Sequence, residues 1–126
     1  MTDLEMLRAA EDYLKDQPKV VLDPYPDYDE RVMAVLGSLK SDRNYLENHE
    51  KLENKAIETL NLAELATMYT FIQRGERFCD GHIASFIEDG RMLQLVRRHR
   101  ELLEAKKPLR RLPDRKNRNG ERSNPK

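Results

Sequence analysis

Apolar residues at helical spacing run through most of this chain, and the spacing is clearest between residues 78 and 90. Six side chains recur there at i, i+1, i+4, i+5, i+8 and i+9, which is one continuous face of an α-helix: Phe78, Cys79, His82, Ile83, Phe86 and Ile87. Asp89-Gly90 follows, and glycine is typical just beyond a helix C-terminus. This period predicts an all-α fold with a central helix over residues 78–88.

The first forty residues predict two further helices and a connector. Thr2 and Glu5 form a capping box, in which the hydroxyl and the carboxylate satisfy the first backbone donors of a helix. Pro18 is expected to end that helix. Residues 18–27 contain three prolines and predict an extended connector that lies across the helices. A second helix is expected from about residue 28 to residue 40.

The following segments predict the rest of the bundle. Residues 41–60 are strongly polar and are expected to be helical in part. Asn61, with Glu64 three residues later, predicts a capped helix that ends near Gly75. Apolar residues between 92 and 103 predict a last amphipathic helix. The sequence therefore predicts one small bundle of about five short helices.

The formal net charge of zero conceals a strong charge separation. Residues 1–104 contain 21 acidic and 14 basic residues, whereas residues 105–126 contain nine basic and two acidic residues. Leu109 and Leu112 are the only large apolar residues of this second segment, so burial cannot offset its ordering entropy. We expect a helical domain over residues 1–104 and a disordered basic tail over residues 105–126.

The composition also indicates a compartment. A single cysteine cannot form an internal disulfide, which favours a reducing environment. No apolar run approaches the ~18 residues of a membrane span, and the first residues lack a secretory signal. We expect a soluble cytoplasmic protein that does not contact a membrane.

Cys79 and His82 are the residues to weigh for metal or nucleophile chemistry. Their spacing suits two zinc ligands, but zinc requires three or four, and His49 and His99 have no partner at metal spacing. A nucleophile and base pair would need an exposed thiolate and an oxyanion donor, which no pattern indicates. We favour core positions for both residues, and we predict no metal, no cofactor and no catalytic residue.

A polar cluster accompanies the central helix. Arg77 and Asp80 are i, i+3 neighbours, and Arg74 and Glu88 are expected on the same side. We interpret these residues as structural ion pairs. The alternative is an anion pocket with two guanidiniums and a carboxylate.

Basic residues of the last helix and tail form the remaining candidate contact surface. They could follow a phosphate backbone or bind a protein partner, and the sequence favours neither. The residues concerned are Arg91, Arg97, Arg98, Arg100, Lys106, Lys107, Arg110 and Arg111.

Residues 65–103 contain an R-x-x-R-F step, an acidic-Gly pair, a Glu-x-Gly helix end and a closing Leu-x-Arg-Arg. The residues concerned are Arg74, Arg77, Phe78, Asp80, Gly81, Glu88, Gly90 and Arg98. In this pattern the segment resembles a prokaryotic or phage domain family of unknown function. The resemblance implies a small helical protein, brings no activity with it, and directs attention to the polar cluster.

These observations favour a non-enzymatic interaction or regulatory protein that contacts another protein through the arginine-rich last helix and the tail. The first alternative is a nucleic-acid-associated protein that uses the last helix and the basic tail. The second is a small enzyme or anion-binding module built on Arg77, Asp80, His82 and Glu88.

Overall fold

The computed structural model describes residues 2–24 and 26–106 and shows six α-helices there with no β-strand. The elements are α1 (Asp3–Leu14), α2 (Glu30–Leu36), α3 (Tyr45–Leu52), a short 3-10 helix (Ile57–Thr59), α4 (Leu62–Gly75), α5 (His82–Glu88) and α6 (Arg91–Lys106). The predicted all-α bundle is confirmed. None of the described helices is both long enough and apolar enough to cross a membrane.

The predicted helix starts at Thr2 and Asn61 are confirmed in detail. Glu5 N–H donates to Thr2 Oγ1 over 3.1 Å, and Thr2 N–H donates to the Glu5 carboxylate over 2.8 Å. Asn61 and Glu64 exchange the corresponding bonds at 2.8 and 2.9 Å. Each box satisfies backbone donors that a helix start otherwise leaves open.

The core lies where α1, α2, α4, α5 and α6 meet. α1 packs on α6 and α2, while α4 contacts α5, α6 and α2. Full burial of one such aliphatic side chain contributes roughly 1.5–3 kcal/mol. The fully buried side chains include Leu7, Leu14, Val32, Val35, Leu65, Ile72, Met92, Leu95 and Val96.

The described residues of the predicted connector contact both ends of α5. Val20 N–H donates to the Glu88 carboxylate over 3.0 Å, and the side chain of Leu22 lies beside Gly81. The one pairing of extended backbone in the described residues is an isolated bridge between Val21 and Asp27. The connector therefore packs along α5, from its first turn to its last.

The central helix begins later than predicted. It starts at His82, because Gly81 takes the left-handed conformation (φ 91°) and residues 76–81 form a turn. Phe78 is consequently 84% exposed, and Cys79 is exposed as well. The predictions that Phe78 and Cys79 belong to the apolar face, and that Cys79 is a core residue, are wrong.

The other helix bounds differ more modestly. α1 ends at Leu14, before Pro18, and Gln17 adopts a positive φ of 52°. α2 begins only after Asp29, whose carboxylate accepts from Arg31 N–H over 2.8 Å, and it ends at Leu36, just before Gly37. α6 extends from Arg91 to Lys106. The remainder of the predicted tail, residues 107–126, lies outside the described residues.

Candidate functional site

The turn between α4 and α5 is organised by Glu76. Its carboxylate accepts from Gly81 N–H over 3.0 Å and from Ile83 N–H over 2.8 Å. These donors belong to the start of α5, where no preceding turn can satisfy them. A single side chain thereby fixes the position of the turn relative to α5.

A cavity of about 440 Å³ opens between this turn and α2. Apolar and charged groups share its wall, as in many ligand sites. The lining residues include Tyr28, Met33, Arg74, Glu76, Arg77 and Ile83.

Arg74 and Arg77 supply positive charge to this cavity. Among the described residues, neither guanidinium has a carboxylate within ion-pair distance, nor any hydrogen-bond acceptor. The Arg74 guanidinium carbon lies 5.6 Å from the centroid of the Tyr45 ring at the start of α3. A cation over an aromatic face is attracted by the ring quadrupole, which orients Arg74 without neutralising it.

Tyr28 also lines the cavity. Its hydroxyl is buried and has no hydrogen-bond partner among the described residues. Burial first, and the neighbouring Glu76 carboxylate second, raise the pKa of Tyr28 above its ordinary value. Tyr28 thus lines the same cavity as the two guanidiniums.

The predicted polar cluster is not assembled as the sequence suggested. No ion pair in the described part of the chain joins any two of Arg74, Arg77, Asp80 and Glu88. Glu88 instead accepts from the backbone of Val20, and Asp80 is exposed in the turn. The break at Gly81 removes the helical register on which the prediction depended. Arg74 and Arg77 remain together at one cavity wall.

His82 is placed by aromatic packing. Its ring lies 5.3 Å from the centroids of both Phe71 and Phe86, and Gly75 provides the space for it. On the other side of Phe71, the His49 ring stacks at 3.6 Å. His82 Nε2 is buried without a partner, and burial lowers the pKa of His82. Within the described residues, no group of three or more His, Cys, Asp or Glu side chains could hold a metal ion.

The arginines of α6 are all engaged within the fold. Arg97 and Arg100 both bond to Glu11 of α1, with shortest nitrogen–oxygen distances of 2.9 and 2.8 Å. Partial burial raises the pKa of Glu11, but the hydrogen bonds from these arginines outweigh it and hold the pKa below its usual value. Arg98 donates to the carbonyl of Leu60 over 2.7 Å.

Arg91 has two contacts. It pairs with Asp89 at 2.7 Å, and its guanidinium carbon lies 3.8 Å from the centroid of Phe86. The other predicted contact residues of this surface cannot be placed in the same way: the side chain of Lys106 and the whole of Lys107, Arg110 and Arg111 lie outside the described part of the chain.

Sequence reasoning missed Tyr28, Met33 and Glu76 as parts of the site. A signal for Glu76 existed, since an acidic residue that precedes a helix start by a few positions can bind its free amides. Tyr28 and Met33 gave no such signal, because their neighbourhood arises only when α2 packs beside α4.

A comparison with protein families shows which family this chain belongs to. A family model described as "Family of unknown function (DUF6508)" matches residues 3–105. The chain belongs to this family. The match includes every residue of the cavity in this DUF6508 protein, and it extends well beyond the 65–103 segment on which the resemblance rested. The arginine pattern and the prokaryotic or phage origin remain predictions. No curated protein and no solved structure matches the chain.

Proposed function

We propose that this DUF6508 protein is a non-enzymatic interaction module that holds an anionic group of a partner protein between Arg74 and Arg77. One observation carries the proposal: both guanidiniums line one cavity and neither has a carboxylate partner among the described residues. Hydrogen bonds from guanidiniums to anions are stronger than neutral ones, and they gain further strength in a partly enclosed site.

The contrast with α6 supports this choice of surface. Its four arginines already bond to acidic side chains or to a backbone carbonyl, so a phosphate backbone would have to displace those contacts. The cavity arginines require no such exchange.

We also propose that the protein is cytoplasmic and of prokaryotic or phage origin. The free and exposed thiol of Cys79 supports a reducing compartment. The spacing of Arg74, Arg77 and Phe78 supports the origin.

Thermal and urea unfolding in sodium phosphate tests the anion site, with sodium chloride at matched ionic strength as reference. A ligand that binds only the folded state stabilises it by about 1.4 kcal/mol at a concentration of about ten times its Kd. We expect this gain in the natural protein and its loss in the Arg74→Gln/Arg77→Gln variant. Arg8→Gln, which removes an exposed arginine from a pair with Glu104, is the matched control and should retain the gain. Equal gains in all three proteins would contradict the proposal.

A further inference from the structure

Exposed apolar side chains occur in the segments that form the cavity and in the connector next to the turn. Phe78 directly follows Arg77 and is 84% exposed, and Met33, which lines the cavity, is 39% exposed. Leu22 is 45% exposed and packs against Gly81, the residue whose N–H binds Glu76. Single exposed apolar residues are ordinary, but here one lines the charged cavity and two adjoin Arg77 and Gly81 of the neighbouring turn, which favours a contact surface.

We propose that the natural ligand of this site is a short segment of another protein in which an Asp or Glu stands beside an aromatic or long aliphatic residue. This inference rests on the proposed function and names its partner class. The carboxylate binds Arg74 and Arg77, while the neighbouring apolar side chain packs against the exposed apolar surface that begins at Met33 and Phe78. Such a segment matches both the arginines and the exposed apolar side chains, whereas inorganic phosphate matches only the arginines.

Charge over the domain argues against a polyanion in the same place. Residues 1–104 carry 21 acidic and 14 basic side chains, and Glu76 itself lines the cavity. A nucleic acid would bring many phosphates close to this net negative surface, and their repulsion would act beyond the two arginines. One carboxylate within a mostly apolar segment avoids that repulsion.

Tyr28 adds a buried hydroxyl to the residues that line the cavity. It is buried and has no partner among the described residues, and a group left in this state costs free energy until a ligand satisfies it. It can donate a hydrogen bond to a carboxylate or backbone carbonyl of the bound segment. Both acceptors are present in an acidic peptide.

Selection from a random peptide display library on the intact protein tests this inference. We expect the enriched sequences to share an acidic residue next to an aromatic or aliphatic one. Fluorescence polarisation with an enriched peptide then measures affinity for the natural protein and for three variants. Arg77→Gln and Phe78→Ser should each weaken binding by about ten-fold or more, and Arg8→Gln should leave it unchanged. Both test residues are exposed, so the variants should fold, and circular dichroism checks that they do.

The outcomes separate this inference from the proposed function. Enriched peptides without acidic residues, whose binding is insensitive to Arg77→Gln, would overturn it even where phosphate still stabilises the protein through Arg74 and Arg77. Displacement of the peptide by a single-stranded oligonucleotide at lower concentration than by the free peptide would also overturn it, in favour of nucleic acid. Absence of any phosphate effect would refute the anion site itself.

Discussion

Gly75 shows how one missing side chain shapes the neighbourhood of the site. A β-carbon at this position would overlap the ring of His82, which packs against the end of α4. The sequence predicted Gly75 as a helix stop, and its actual importance is the close approach of an aromatic ring from the next helix.

Gly75→Ala is therefore expected to destabilise the protein although alanine favours helices. The overlap forces the His82 ring away from Phe71 and Phe86, and such overpacking costs about 1–3 kcal/mol. Gly37→Ala is the matched control, since its nearest heavy atom would be 3.6 Å away and its φ is −92°. That variant should be neutral or more stable by about 0.4–1 kcal/mol. Urea unfolding compares the two, and equal stability of both variants would contradict the account.

Glu76 is the residue on which the α4–α5 turn depends most. Glu76→Ala leaves the amides of Gly81 and Ile83 without their acceptor, and each unsatisfied donor costs about 1–3 kcal/mol where water cannot replace the bond. We expect a clear loss in the free energy of unfolding, measured with urea. Glu50→Ala, at an exposed position of α3, is the control and should change stability little. A similar small effect for Glu76→Ala would show that the turn holds without the carboxylate.

At the scale of elements, α3 is the least embedded helix. It has no buried residue and packs mainly on α4. Polar contacts around Asp42 hold the segment that precedes it: Asp42 N–H donates to Thr70 Oγ1 over 3.0 Å, and the Asp42 carboxylate accepts from Thr67 Oγ1 over 2.6 Å. Asn48 donates to the same carboxylate over 2.9 Å, which links the segment to α3 itself.

Native-state hydrogen exchange should find α3 opening before the rest of the bundle. Its amides are expected to exchange faster than those of α4 and α6, because few buried apolar contacts oppose its local unfolding. Asp42→Ala should increase the rates in α3 further without changing those of α6. Uniform protection across the three helices would contradict this picture.

The same elements show what a sequence can and cannot predict in this fold. The helix caps at Thr2 and Asn61 could be predicted because each capping box lies within four residues of sequence. The start of the central helix was predicted too early because the apolar spacing continues across Gly81. Spacing alone does not reveal that this residue has a positive φ. The sequence could not predict the cavity, because α2 and α4 are separated in sequence and meet only through packing.

At the scale of the whole molecule, three histidines make stability depend on pH. Burial is the largest cause that lowers the pKa of His49, of His82 and of His99, whose Nδ1 lies 2.8 Å from the Tyr69 hydroxyl. Unfolded histidine has its pKa near 6.5, so below that value the unfolded chain binds more protons than the folded one. Stability is then highest above about pH 6.5 and falls as the pH decreases towards the folded pKa values.

Urea unfolding at about pH 7.5 and about pH 5.5 measures this effect. The free energy of unfolding should be smaller at the lower pH, and the difference should shrink in His49→Gln, which removes one of the three groups. The carboxylates with lowered pKa, such as Glu11 and Asp42, act in a more acidic range. Equal stability at both pH values would contradict a destabilising role for histidine protonation.

The pairing of α6 with α1 predicts how the domain behaves towards nucleic acid. Because Arg97 and Arg100 are bonded to Glu11, a chain ending at Glu104 should not bind generic duplex DNA or RNA. Fluorescence anisotropy at ~50 and ~200 mM salt measures this, since backbone binding falls steeply over that range. The full chain, which adds the nine basic residues of segment 105–126, is the comparison. Salt-sensitive binding by the shortened chain would place the contact on the domain after all.

The most direct test of the central claim is a titration followed at the arginine side chains by NMR. The Nε–Hε resonances of Arg74 and Arg77 should shift on addition of sodium acetate and sodium phosphate, while those of Arg97 and Arg100 should stay in place because Glu11 already holds them. That result would establish an anion site at the cavity between α2 and the α4–α5 turn. Shifts that are equal at all four arginines, or confined to α6, would contradict the account.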